Sequence, residues 1–115
     1  RTYRLNPKAN PKTSYVAKCL NNQEGPVVVA TDYMRLYADQ IREFVDKPFY
    51  ALGTDGFGRS DSRDALRDFF EVNRYYVVIT ALKALADAGD IPASKVADAI
   101  KKYGIDVNKA NPATV

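Results

Sequence analysis

Histidine and tryptophan are absent from the 115 residues, and cysteine and methionine occur once each. Without histidine, no side chain has an unperturbed pKa near neutrality and no Cys/His cluster is available for zinc. The lone Cys19 cannot close an internal disulfide, which fits a reducing cytoplasm. It falls on an apolar stripe and reads as a buried, inert thiol. No apolar run approaches the length of a bilayer span, and no charged-then-apolar leader precedes a small-residue cleavage site, so neither a membrane partner nor an export signal is expected. Acidic residues are missing up to Glu24, whereas Arg1, Arg4, Lys8, Lys12 and Lys18 precede it. This basic arm has no aromatic stacking platform or nucleic-acid motif beside it. It is read as a solvated or subunit-contacting loop, with no nucleic-acid partner.

Apolar residues make up 46% of the chain and aromatics 11%, enough for one domain with a modest core. Residues 1–12, with Pro7, Pro11, Asn6 and Asn10, read as loop or linker. Thr13 or Ser14 then caps a short helix carrying Tyr15, Val16, Cys19 and Leu20 on one face. Pro26-Val27-Val28-Val29-Ala30 is a β-branched run without polar alternation, as in a strand covered on both faces. Thr31 or Asp32 is expected to cap the next helix, whose stripe runs through Tyr33, Leu36, Tyr37, Ile41, Phe44 and Val45. A second strand, Phe49 to Leu52, follows. A strand–helix–strand connection of this length predicts a parallel, right-handed crossover.

The run Leu52-Gly53-Thr54-Asp55-Gly56-Phe57-Gly58-Arg59-Ser60-Asp61 joins that strand to a helix over about 62–70, with Ser60 or Asp61 as its cap. Gly53, Gly56 and Gly58 offer positive φ or close backbone approach, so the joint is either a tight turn or an anion cradle at the carboxyl end of a parallel strand. Tyr75-Tyr76-Val77-Val78-Ile79-Thr80 alone resembles a strand. Its continuation through Ala81, Leu82, Ala84, Leu85 and Ala88 to Gly89 favours one helix from an Asn73 cap. A last helix starts at Pro92, presents Val96, Ile100 and Tyr103 on one face and stops at Gly104. The tail from Ile105 reads as extended. Two parallel strands make no independent sheet, so further strands must come from another copy, from an absent part of the subunit, or from a segment misread as loop.

The glycine-rich joint, together with Ala30-Thr31-Asp32-Tyr33-Met34-Arg35-Leu36-Tyr37-Ala38, Phe69-Phe70-Glu71-Val72, Tyr75-Tyr76-Val77-Val78, Tyr103-Gly104-Ile105-Asp106 and Asn111-Pro112, resembles the extreme C-terminus of the homodimeric pyruvate dehydrogenase family. The resemblance implies an α/β fold: a small three-layer domain with a parallel sheet, similar to the transketolase C-terminal domain and incomplete at its N-terminus, spanning 13–115. It also implies that the chain is part of a much longer subunit, since the chain opens on Arg1 in a loop-like segment. The family's whole enzyme decarboxylates pyruvate on thiamine diphosphate with Mg²⁺ and passes the acetyl group to the lipoyl arm of the acetyltransferase component. The expected partners are the rest of the subunit, its homodimer mate and, through the parent, that acetyltransferase. The expected compartment is the cytoplasm.

No catalytic residue, cofactor site or metal site is expected within this segment. Thr54-Asp55-Gly56 lacks the leading glycine of a thiamine-diphosphate motif, and Asn73 lies too near to close one. Asp55, Asp61, Asp64 and Asp68 interleave with Arg59, Arg63 and Arg67 and read as a salt-bridged, solvated face. The candidate anion-binding residues are Thr54, Gly56, Gly58, Arg59 and Ser60, because a guanidinium and free loop amides attract the same charge. Tyr33, Tyr37, Tyr75 and Tyr76 are divided between core and interface, with at least two assigned to the core. The rival reading is a free-standing small-anion-binding or regulatory module from a truncated gene.

Overall fold

The structure is a computed structural model describing residues 1–115. Its sheet has two strands, β1 (Val27–Ala30) and β2 (Phe49–Leu52), paired in parallel with Val27 opposite Phe49 and Ala30 opposite Leu52. In chain order the helices are α1 (Thr2–Leu5), α2 (Tyr15–Leu20), α3 (Arg35–Asp39), α4 (Arg63–Phe69), α5 (Arg74–Asp87) and α6 (Ala93–Lys102), with a 3-10 turn at Arg42–Phe44. α3 and α5 each lie against both strands, and α6 folds back on α5. This is the expected small α/β arrangement. No third strand was hidden in a loop.

Local signals place most of these elements. Ser14 caps α2 by accepting from the Ala17 amide at 3.2 Å. Asn73 accepts from the amides of both Tyr75 and Tyr76, at 3.0 and 3.1 Å, and starts α5 despite the β-branched run that follows. Within α5, the Thr80 hydroxyl donates to the Tyr76 carbonyl at 2.7 Å, a bond that lets this residue sit in a helix. The helix stops where Gly89 takes φ +82° and the Asp90 amide reaches back to the Leu85 carbonyl at 3.0 Å.

Several expectations are corrected. The first twelve residues include the single turn α1 where loop was expected. Neither Thr31 nor Asp32 caps α3: Thr31 Oγ1 accepts from the Tyr33 amide, and the helix starts only at Arg35, after Met34. The helix expected to run through Val45 is five residues long and is followed by the 3-10 turn. Ser62, not Ser60 or Asp61, caps α4, accepting from the Ala65 amide at 3.3 Å. The tail is not extended. Asp106 and Asn111 each accept from the backbone two residues on, and these turns bring Pro112 into the interior.

The core is thin. Only 7 of 115 residues are buried, chiefly Ala38, Phe49, Phe70, Val72, Ala84 and Val96. The stripe expected to cover the sheet is largely uncovered, with Tyr33 at 69%, Leu36 at 61% and Tyr37 at 57% exposure. Tyr33 and Tyr37 stack on each other, 5.4 Å between ring centroids, rather than entering a core. Tyr75 is also exposed and Tyr76 half-buried, so none of the four tyrosines is a core residue. Cys19 is exposed as well, because α2's apolar face has no element laid over it.

Two global measures agree. The radius of gyration is 17.5 Å, against about 13 Å for a compact domain of this length. The accessible surface is 8695 Å², against roughly 6300 Å² for a folded monomer of this mass.

Candidate functional site

The glycine-rich joint is fastened to the segment after β1 over three consecutive residues. Gly53 has no room for a Cβ, which would come within 2.6 Å of the Arg35 amide nitrogen. Thr54 donates its amide to the Tyr33 carbonyl at 2.9 Å and its hydroxyl to the Asp32 carbonyl at 2.8 Å. Asp55 accepts from the Arg35 amide at 3.0 Å and from its guanidinium at 2.6 Å. A carboxylate 20 residues away thus supplies the first-turn acceptor that Met34 cannot provide.

On the far side of the joint, Gly56 adopts φ +114°, and a Cβ there would collide with the Pro112 carbonyl. Gly58 has neither a positive φ nor any neighbour within 4 Å. Of the three glycines read as freeing the backbone for positive φ or close approach, Gly53 and Gly56 are needed where they stand and Gly58 is not.

A cavity of ≈ 330 Å³ opens beside the joint, bordered by Thr54, Gly56, Gly58 and Arg59 together with Arg63 and Arg67 of α4. The structure therefore gathers four of the five candidate residues. Ser60 borders a neighbouring groove instead, with Asp61 and Phe69. Thr54's hydroxyl is already committed to Asp32, so the chemistry of this wall rests on the arginines. Arg59 lies over the Phe69 ring, 4.2 Å from guanidinium carbon to centroid, an arrangement that orients it without neutralising it. Arg67 pairs with Asp32 at 2.9 Å.

This corrects the reading of the arginine–aspartate alternation. Arg67 and Asp55 both find partners across the chain rather than along α4, and no ion pair joins Arg59, Arg63 or Arg67 to Asp61, Asp64 or Asp68. The four-residue spacing of the arginines was the visible signal for a shared face. Their approach to Asp32 was not visible.

The Arg67–Asp32 pair also borders a second cavity of ≈ 660 Å³, past the end of β1, which reaches Asn73 and Arg74 at the start of α5. Both cavities lie at the carboxyl ends of the parallel strands, the edge at which open α/β sheets take ligands.

Two carboxylates of this region are held in their charged form by arginines. The hydrogen bond from Arg67 holds the Asp32 carboxyl below its ordinary value, and that from Arg35 does the same for Asp55. Depressed carboxyl pKa values mean that the stability these pairs add is present above the ordinary value of 3.8 and lost as pH falls below it. Arg35 and Asp32 are exposed and their partners Asp55 and Arg67 half-buried, so solvent screening keeps the amount small. Tyr76 is pushed up to about 12, by burial first and then by Asp68, Glu71 and Asp106.

A family model described as the transketolase-like TK C-terminal domain matches residues 6–73, from the arm through β1, α3, β2, the joint and α4. The chain belongs to the transketolase-like C-terminal domain family. Curated relatives of this transketolase-like domain carry the name pyruvate dehydrogenase E1 component. The one from Pseudomonas aeruginosa is 60% identical over 97% of this chain and 13% of its own length. The Cupriavidus necator relative is 58% identical over 96% of the chain and 12% of its own length. That of Escherichia coli K12 is 50% identical over 94% and 12%. The chain thus spans about one-eighth of the relatives it matches. No helix of the domain is long and apolar enough to cross a membrane.

Proposed function

We propose that this chain is the C-terminal, non-catalytic domain of a thiamine-diphosphate-dependent pyruvate dehydrogenase, and that it contributes to subunit packing. The observation that carries the reading is 50–60% identity to proteins of that name over nearly the whole chain. Under this reading the parent enzyme is a cytoplasmic homodimeric oxidoreductase. It decarboxylates pyruvate with thiamine diphosphate and Mg²⁺, and the acetyl group passes to the lipoyl group of the acetyltransferase component.

The two carboxylates nearest the joint are already engaged, Asp55 by Arg35 and Asp32 by Arg67, and no group of three or more acidic or cysteine side chains gathers to hold a metal ion. Under this reading the cofactor's chemistry belongs elsewhere in the subunit. The thin core and roughly 2400 Å² of surface beyond that of a compact monomer support a packing role.

The purified chain, supplied with thiamine diphosphate, Mg²⁺, pyruvate and an artificial electron acceptor, is expected to give no turnover. A full-length subunit lacking this segment should lose dimer stability in sedimentation. Turnover by the chain alone, or an unaffected dimer, overturns the proposal.

A second reading is favoured by the arginine-lined cavity: a small-anion or regulatory site at the glycine-rich joint. Phosphate, pyruvate or citrate at constant ionic strength should then raise the melting midpoint of the wild-type domain. In Arg59→Ala the ligand-free melt should change little while the anion-induced rise disappears. If no anion shifts the wild-type melt, the joint is a turn.

A further inference from the structure

The arginines at the carboxyl end of the sheet outnumber the carboxylates that face them. Arg59 and Arg63 border the cavity at the joint, Arg74 borders the larger cavity beside it, and Arg67 stands in the wall of both. Asp32 and Asp64 are the acidic residues lining this space, so four guanidiniums less two carboxylates leave two positive charges in excess. Asp61, in the neighbouring groove, turns away to accept from the Ser62 amide at 2.7 Å.

Pairing leaves the excess on both sides of one contact. The sole ion pair among these arginines is Arg67 with Asp32, at 2.9 Å, and it lies where the two cavities share a wall. Arg59 and Arg63 have no carboxylate partner. Arg74 donates to the hydroxyl of its neighbour Tyr75 at 2.8 Å, which positions the guanidinium while leaving its charge uncompensated. Other donors are spent. Asn73 already accepts from the first amides of α5, and the Thr54 hydroxyl is given to the Asp32 carbonyl.

We infer that these arginines bind a compact polyanion, with two or more phosphate or carboxylate groups, that lies across both cavities and displaces Asp32 from Arg67. One anionic group meets Arg59 and Arg63 at the joint, a second meets Arg74, and Arg67 serves both. The inference rests on the small-anion reading above, names its ligand class and adds Asp32 as a resident competitor. A single phosphate needs no more than the joint-side arginines. Arg74, beyond the ion pair, calls for the second group. Concavity favours a ligand over a flat subunit contact, because spaces of ≈ 330 and ≈ 660 Å³ fall within the roughly 300–1,000 Å³ of small-molecule sites.

Calorimetric titration of the full-length subunit tests this, with the cofactor site filled beforehand by thiamine diphosphate and Mg²⁺ so that it cannot take the probes. The probes are inorganic phosphate, tripolyphosphate and citrate at constant ionic strength. Tripolyphosphate or citrate should bind about 10-fold or more tightly than phosphate, and whichever does so distinguishes a polyphosphate from a polycarboxylate ligand. Arg74→Gln should weaken that polyanion by about 10-fold and spare phosphate. Asp32→Asn should tighten it several-fold, because Arg67 is then free. Lys101→Gln, outside both cavities, should change neither affinity.

Equal affinities for phosphate and the polyanions, with Arg74→Gln silent, overturn the inference and leave the small-anion reading standing. Absence of binding by all three probes removes both. Weakening by Lys101→Gln as large as that by Arg74→Gln would reduce the effect to bulk charge. An Asp32→Asn subunit that binds the polyanion less tightly would make Asp32 a support of the site rather than its competitor. Either result also overturns the inference.

Discussion

Gly56→Val should lower the melting midpoint of the domain by about 10 °C or more, while Gly58→Val, two residues away, should lower it only slightly. At Gly56 two costs combine. A β-branched residue at φ +114° occupies backbone space essentially reserved for glycine, a strain of about 1–3 kcal/mol. Its Cβ would also meet the Pro112 carbonyl, so either the joint or the C-terminal turn must move. Neither can move freely. The joint is tied to the segment before α3 through Thr54 and to the start of α3 through Asp55, and the turn is tied by the buried Pro112. Together these predict a loss of about 2–4 kcal/mol, and a domain of this size loses about 4–8 °C for each kcal/mol. Gly58 has open space and no positive φ, so it serves as the internal control. Thermal melts of the two variants decide the matter: equal losses would show that close approach of the tail plays no part.

Lys109→Met should be the most damaging single change to a charged residue, at about 1.5–3 kcal/mol. The Lys109 ammonium donates to the carbonyls of Asp68 and Phe69 at 2.9 and 2.8 Å, the last acceptors of α4, and lies 3.6 Å from Glu71. It also sits 5.6 Å from the Phe69 ring centroid and 5.4 Å from that of Tyr76. A cation at a helix C-terminus complements the helix dipole, and this one supplies a donor to the Phe69 carbonyl and a second donor to that of Asp68, which also accepts from the Glu71 amide at 3.2 Å. Here it spares a tight exit, because Glu71 turns the chain at φ +62° directly after the helix. Methionine keeps much of the stem's apolar contact and removes the charge, so the measured loss isolates the cap. Lys101→Met, on the exposed last turn of α6, should change the midpoint by a degree or two. Denaturant melts of both variants check the contrast. A Lys109→Met variant as stable as Lys101→Met would mean that solvent caps α4 equally well.

The residues that were legible in the sequence are those whose causes lie nearby in the chain. A β-branched run set β1. Asn73 and Gly89 bounded α5 and overrode the strand-like Tyr75–Thr80, because a cap and a left-handed stop act within one turn of the residues they affect. Gly104 ended α6 in the same way. The parallel crossover followed from chain length between strands, and the shortage of strands from counting them.

Burial was less legible, since a helical stripe records which side is apolar but not whether anything covers it. Tyr33, Leu36, Tyr37 and Cys19 lie on real stripes and remain exposed. Partner choice was decided only by the tertiary structure. Asp55 reaches Arg35 across 20 residues, Arg67 reaches Asp32 across 35, and Lys109 reaches α4 across 41. Short-range alternation had suggested ion pairs along α4, but exposed neighbours on one helix gain only a few tenths of a kcal/mol from pairing. A fold that brings a better-placed carboxylate or carbonyl within hydrogen-bonding distance redirects them. The requirement at Gly56 rather than Gly58 has the same origin: glycine's freedom is written in the sequence, whereas the carbonyl that makes it necessary arrives from the far end of the chain.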